Sequence, residues 1–162
     1  PVLRDVTTRP GPPGAHRLLF QDRWNEDLWY EPNEVSDGTI LTLGLLTLQY
    51  QSRPVDVVAI EEPEHGLHPH LLGEIVELLR KLANGELGGK ATQVVLATQS
   101  SELLEFLEPE EVRFLSRNAD DGSVAVEEAP TGTDDWRKAY EAHQESLGSL
   151  WLSGSVGGVP GS

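Results

Sequence analysis

Four apolar residues, three of them β-branched, run into two acids and a proline at Val57-Val58-Ala59-Ile60-Glu61-Glu62-Pro63. A short apolar run of this kind reads as a buried strand, and the proline ends it. The strand therefore delivers two carboxylates to its C-terminal tip. In open α/β sheets, ligands bind beyond the carboxyl ends of the parallel strands. Adjacent carboxylates at such a tip suit a magnesium ion and a polarised water, which nucleotide hydrolysis requires. A solvated Glu-Glu turn is the plain alternative.

The surrounding sequence predicts an α/β arrangement. Leu71, Leu72, Ile75, Val76, Leu78, Leu79 and Leu82 keep helical spacing behind Pro69, which suits a first helical position, and Asn84-Gly85 stops that helix. Gln93 to Ala97 is a second short apolar strand with Thr98-Gln99-Ser100-Ser101 at its tip, and Ser101 is expected to cap a helix to about Leu107. Strand, helix, strand, helix implies parallel strands with covering helices.

Upstream, Ser36-Asp37-Gly38-Thr39 opens a helix whose body, Ile40 to Leu48, is apolar nearly all round and predicts burial. Residues 1 to 14 carry four prolines and two glycines and suggest a linker, followed by short strands at His16 to Phe20 and Leu28 to Tyr30. Downstream, Glu111 to Ser116 and Ser123 to Glu127 flank an Asn-Ala-Asp-Asp-Gly turn, a hairpin pattern. Thr133 to Leu147 predicts a last helix, and the Gly/Ser-rich tail from Gly154 is expected to be loose. The domain expectation is a linker and short β segment over 1–32, one α/β lobe over 33–150, and a tail over 151–162.

Composition removes several function classes. The 162 residues carry a formal charge of −15, so the surface does not itself attract DNA or an anionic membrane. Cysteine is absent, which excludes disulfides and thiolate metal sites. Methionine is absent even at position 1, so the chain is expected to begin inside a longer or processed product. No apolar run approaches the roughly 20 residues of a membrane span, and a cytoplasmic location is the expectation.

Three further patterns carry chemistry. The helix start at Ser36-Asp37-Gly38 offers N–H groups and a positive dipole end to a phosphate, although by itself an ordinary cap is the more common explanation of such a start. Gln99 can donate its amide to a phosphate or hold a water, or simply close a polar turn. His65, His68 and His70 invite a metal reading, but they straddle Pro69 and lack the spacing of a single helical face. Gly85 to Thr92 imitates a phosphate loop. Only three residues separate Gly85 from Gly89-Lys90, Ala91 follows the lysine, and a helix precedes it, so a surface turn is the better reading.

In this order and spacing the pieces resemble the C-terminal half of an ABC-type ATPase head of the P-loop NTPase class. The likeness is to SMC-like and RecF-like AAA ATPases, including the overcoming-lysogenization-defect group. Val35 to Thr39 resembles the signature motif, Val57 to Glu62 the Walker B strand with its catalytic acid, Glu64 to His68 the D-loop, and Val94 to Ser101 the switch strand. The resemblance spans about residues 33 to 116, and the tail from Leu147 to Pro160 also looks like an end seen in such ATPases.

The resemblance implies ATP and Mg²⁺ as cofactors. Glu61 would help hold the metal, largely through water, and Glu62 would be the general base, with Gln99 at the switch position. Ser36 and Gly38, flanking Asp37, would contact the γ-phosphate of a nucleotide on a second head, and His65 would lie on the seam. That implies a homo- or hetero-dimer, a Walker A-containing N-terminal half or subunit as partner, and DNA repair, DNA maintenance or anti-phage defence, with DNA reached only through the complete assembly.

The sequence departs from the family pattern in four places. Glu61 stands where aspartate is usual, Gln99 where histidine is usual, Asp37 where glycine is usual, and no Walker A loop is present. The chain alone is therefore expected to be inactive. A non-catalytic, nucleotide-responsive interaction domain is the alternative.

Overall fold

The computed structural model describes residues 2–48, 50–53, 55–87 and 89–156. It divides into two compact units, one of residues 1–54 with 65–67, the other of 55–64 with 68–162.

In the first unit the proline-rich opening, suggestive of a linker, forms strand β1 (Leu3–Pro10). It pairs antiparallel with β2 (His16–Asp22), which pairs in turn with β3 (Trp29–Tyr30). Pro10 ends the strand and Pro12 and Pro13 lie in the turn, which leaves Leu3 to Arg9 clear of proline, so the ladder loses no donor there. Leu19 and Phe20 are the buried apolar residues of this sheet. Asp22 is buried beside them, its carboxylate accepting from the backbone N–H of Asn25 and Trp24, both at 2.8 Å, and from the Tyr30 hydroxyl at 3.0 Å. The Asn25 and Trp24 amides, then Tyr30, hold that carboxyl below its ordinary range.

Helix α1 (Asp37–Leu48) follows a 3-10 turn at Pro32–Glu34. Its sequence predicts burial, but only Gly38 and Leu45 are buried. A helix apolar in every direction needs neighbours on every side, and this chain supplies too few of them.

In the second unit, β4 (Val57–Glu61) and β5 (Gln93–Ala97) form a parallel pair in the register Glu61↔Ala97. The crossover between them is α2 (Pro69–Ala83), which buries Leu72, Ile75, Val76, Leu79 and Leu82. Each of these side chains contributes about 1.5–3 kcal/mol relative to exposure. Asn84 caps the helix and Gly85 follows at φ +76°. Its missing Cβ would stand 2.8 Å from the Ala91 nitrogen, so glycine is required there.

Past β5, α3 covers only Ser101–Leu104, and its cap is Ser100 rather than Ser101, with the Ser100 hydroxyl accepting from the Leu103 amide at 3.1 Å. A hairpin follows, β6 (Arg113–Arg117) with β7 (Val124–Glu128). The predicted last helix is two helices, α4 (Asp134–Ala142) and α5 (Leu147–Leu152). Gln144 and Glu145 both adopt φ +58°, a left-handed step that no helix passes through. The break lets Trp136 of α4 and Leu147, Leu150 and Trp151 of α5 join Leu104, Val112 and Phe114 in one core. Trp151 is therefore packed, although the tail expectation began at that residue. Of the expected loose tail, residues 157–162 lie outside the described residues.

Candidate functional site

The second unit builds its site at the carboxyl ends of β4 and β5. Glu61 is the last residue of β4 and is exposed. At Glu62 the backbone turns to φ +46°, while its N–H still donates to the Ala97 carbonyl at 2.7 Å. A non-glycine residue in the left-handed region costs of order 1 kcal/mol and gathers at functional sites. Pro63 behind it is fully buried. The strand thus extends one bond past its last paired residue before the chain swings away.

Glu64 and Thr98 tie the two tips together. The Thr98 hydroxyl donates to Glu64 Oε1 at 2.6 Å and also accepts from the Ser100 amide at 2.9 Å. Glu64 Oε2 is buried without a hydrogen-bond partner. Sequence reading placed Glu64 in a loop and Thr98 in a polar turn, and it missed the bond between them. Nothing in the spacing of residues so far apart could reveal it. Gln99, exposed, stands between Thr98 and the Ser100 cap. The tip therefore collects Glu61, Glu62, Glu64, Thr98 and Gln99 at one end of the parallel pair.

The first unit brings Ser36, Asp37 and Gly38 against the segment 65–67. The Ser36 hydroxyl accepts from the Thr39 amide at 3.2 Å, the local cap expected of it. Asp37 opens the helix and is exposed, and Gly38 is buried. A Cβ on Gly38 would meet the Gly66 carbonyl oxygen at 2.6 Å. A Cβ on Gly66, at φ +76°, would meet Asp37 Cβ at 2.9 Å. The two glycines permit backbone contact between the helix start and the segment that carries exposed His65. The expected signature and D-loop are thus neighbours in this unit.

A protein family described as "AAA domain, putative AbiEii toxin, Type IV TA system" matches residues 4–105. The chain belongs to this AAA family. Its α/β fold is that of the P-loop ATPases, and its general chemistry is that of an ATPase domain. No curated protein matches the sequence. Nine solved chains match it in structure. One comes from work on the structural biochemistry of ATP-driven dimerization and DNA-stimulated activation of SMC ATPases. It is 12% identical with a TM-score of 0.57, over 87% of this chain and 80% of that one.

A nucleotide with magnesium fits the chemistry of this AAA domain's strand tips. Magnesium takes one or two carboxylates and leaves its other positions to water and phosphate. Glu61 offers such an oxygen, and the unsatisfied Glu64 oxygen is a second acceptor at the same end of the sheet. The histidines follow a different chemistry. His68 Nδ1 accepts from the His70 amide at 3.4 Å and the two rings stack 5.0 Å apart, which caps α2. Among the described residues no three His, Cys, Asp or Glu side chains converge as a ready-made metal cage. Among them, too, no helix is long and apolar enough to cross a membrane.

Proposed function

We propose that this chain is the C-terminal lobe of an SMC/RecF-like ATPase head that hydrolyses ATP once a Walker A-bearing segment completes it. The observation that carries the reading is Glu62. A carboxylate on a left-handed backbone, pinned to the neighbouring strand at a parallel sheet tip, is held in position at an energetic cost.

In this reading Glu62 accepts the proton of the attacking water and orients it for in-line displacement. Glu61 holds Mg²⁺, largely through water. That ion, when bound, would supply charge neutralisation to the phosphates. Gln99 donates its amide to the terminal phosphate or the water, and Thr98 fixes the Gln99 backbone by bonding both Glu64 and Ser100. Ser36 and Gly38 present the start of α1 to the γ-phosphate of a nucleotide on a second head, with Asp37 turned outward and His65 on the seam. The assembly is a head-to-head dimer, with DNA engaged through the complete protein. The family description, which names a putative toxin of a type IV TA system, favours defence over repair as its setting.

Glu62→Gln in the complete assembly tests this. Binding of ATP is retained, turnover falls by about 10²–10⁴-fold, and the dimer lives longer. Unchanged turnover removes Glu62 from the mechanism.

A further inference from the structure

Two bonds cross-link the tips of β4 and β5. The first runs from the Glu62 amide to the Ala97 carbonyl at 2.7 Å and prolongs the strand ladder. The second runs from the Thr98 hydroxyl to Glu64 Oε1 at 2.6 Å. Pro63 lies between the two anchors, fully buried, and its ring fixes φ. Residues 62–64 therefore form one stiff segment, tied at each end to consecutive residues of the neighbouring tip.

A carboxylate only accepts, so the Thr98 proton goes to Glu64 while a lone pair on the same hydroxyl takes the Ser100 amide at 2.9 Å. The short Thr98–Glu64 distance is that of a charge-assisted bond. Neither the ladder nor α3 needs it. β4 and β5 already pair over the whole register from Val57 to Glu61. α3 is capped by the Ser100 hydroxyl, which accepts from the Leu103 amide at 3.1 Å. What the bond adds is confined to Thr98-Gln99-Ser100. It clamps the chain on both sides of Gln99, whose side chain is exposed.

We propose that Glu64 is a positioning residue, which through Thr98 holds the Gln99 peptide so that the Gln99 amide and the Glu62 carboxylate keep a fixed spacing at the strand tips. The role rests on the reading of Glu62 as the base and Gln99 as the amide that meets phosphate or water. Glu64 touches neither reacting group. Because residues 62–64 are stiff, a base on one strand and an amide on the other move as one body. Phosphoryl transfer depends chiefly on positioning and electrostatics, and a misplacement of about 1 Å can slow a reaction by about 10²-fold.

Three variants test the role. Glu64→Leu keeps the bulk and removes the acceptor, Thr98→Val removes the donor, and Glu64→Gln keeps an acceptor oxygen while losing the charge. In the lone chain, NMR relaxation of the Gln99 backbone amide reads the clamp directly. Its order parameter, about 0.85 for rigid backbone, falls below about 0.6 in Glu64→Leu and in Thr98→Val, and Glu64→Gln restores it. In the complete assembly Glu64→Leu lowers kcat by about 10–100-fold with KM for ATP unchanged, and Glu64→Gln recovers most of the loss. In a Gln99→Ala background Glu64→Leu lowers kcat no further, because its effect passes through Gln99. Additive losses in that background overturn the proposal. So does a Gln99 amide equally ordered in the parent and in Glu64→Leu. A Glu64→Gln variant as slow as Glu64→Leu also overturns it, since the charge and not the bond is then what matters. Unchanged turnover in Glu62→Gln, with Gln99 loosened in Glu64→Leu, removes the hydrolysis reading and leaves the clamp standing.

Discussion

The backbone N–H of Glu62 donates to the carbonyl of Ala97 at 2.7 Å while Glu62 itself sits at φ +46°. The ladder of a parallel pair is extended by a residue whose conformation glycine would adopt without strain. Relief of that strain is measurable apart from chemistry. Glu62→Gly and Glu62→Ala both remove the carboxylate, and both are expected to abolish turnover in the complete assembly. The glycine variant is more stable than the alanine variant by about 1 kcal/mol in urea denaturation. Equal stabilities would mean that the left-handed turn carries no strain.

Gly38 admits no side chain. With a Cβ at 2.6 Å from the Gly66 carbonyl oxygen, and 3.0 Å from Leu67 Cδ2, Gly38→Ala must push backbone apart. A loss of about 1–3 kcal/mol is expected, with segment 65–67 opened to proteolysis. The measurement is a thermal melt combined with limited digestion.

Thr98 and Glu64 form a second testable link between the strand tips. Thr98→Val keeps the shape and deletes the hydroxyl, leaving both Glu64 oxygens unsatisfied. A cost of about 1–3 kcal/mol is expected, whereas Thr98→Ser retains the bond and stays close to the parent. If valine is as stable as threonine, the 2.6 Å bond carries no net energy.

Arg80 and Glu111 set a pH dependence. The guanidinium donates through Nη2 to Glu111 Oε2 at 2.6 Å and through Nε to Oε1 at 3.1 Å, and it also reaches the Phe106 carbonyl at 2.8 Å. Arg80 holds the Glu111 carboxyl below its ordinary 4.5, with the Glu108 amide adding to the effect. A depressed carboxyl stabilises fully above its unfolded value and loses that contribution as pH falls through the folded value. Glu111→Gln therefore costs most near neutral pH and little in acid. With both side chains more than a third exposed, solvent screening limits the effect to about 1 kcal/mol or less. Urea midpoints of parent and variant at pH 7 and pH 3 should converge in acid.

Several features depend only on order along the chain. The alternation of apolar runs with turn residues already specifies β4, α2 and β5. Pro69 and Asn84 bound α2 because a missing N–H suits the first helical turn and a left-handed glycine suits the last. Glu61, Glu62 and Gln99 are legible as strand-tip residues for the same local reason. Tertiary structure decided the rest. The Gly38–Gly66 approach and the Glu64–Thr98 bond join residues far apart in sequence, and no local pattern encodes distance in space. Whether α1 is buried depended on how many neighbours the fold supplies, not on its own composition. The split of the last helix came from two left-handed residues, Gln144 and Glu145, whose side chains permit helix equally well. That step is favoured only because it places Leu147, Leu150 and Trp151 in a shared core. Packing free energy, gained between elements, outweighed a local cost of about 1 kcal/mol at each left-handed residue.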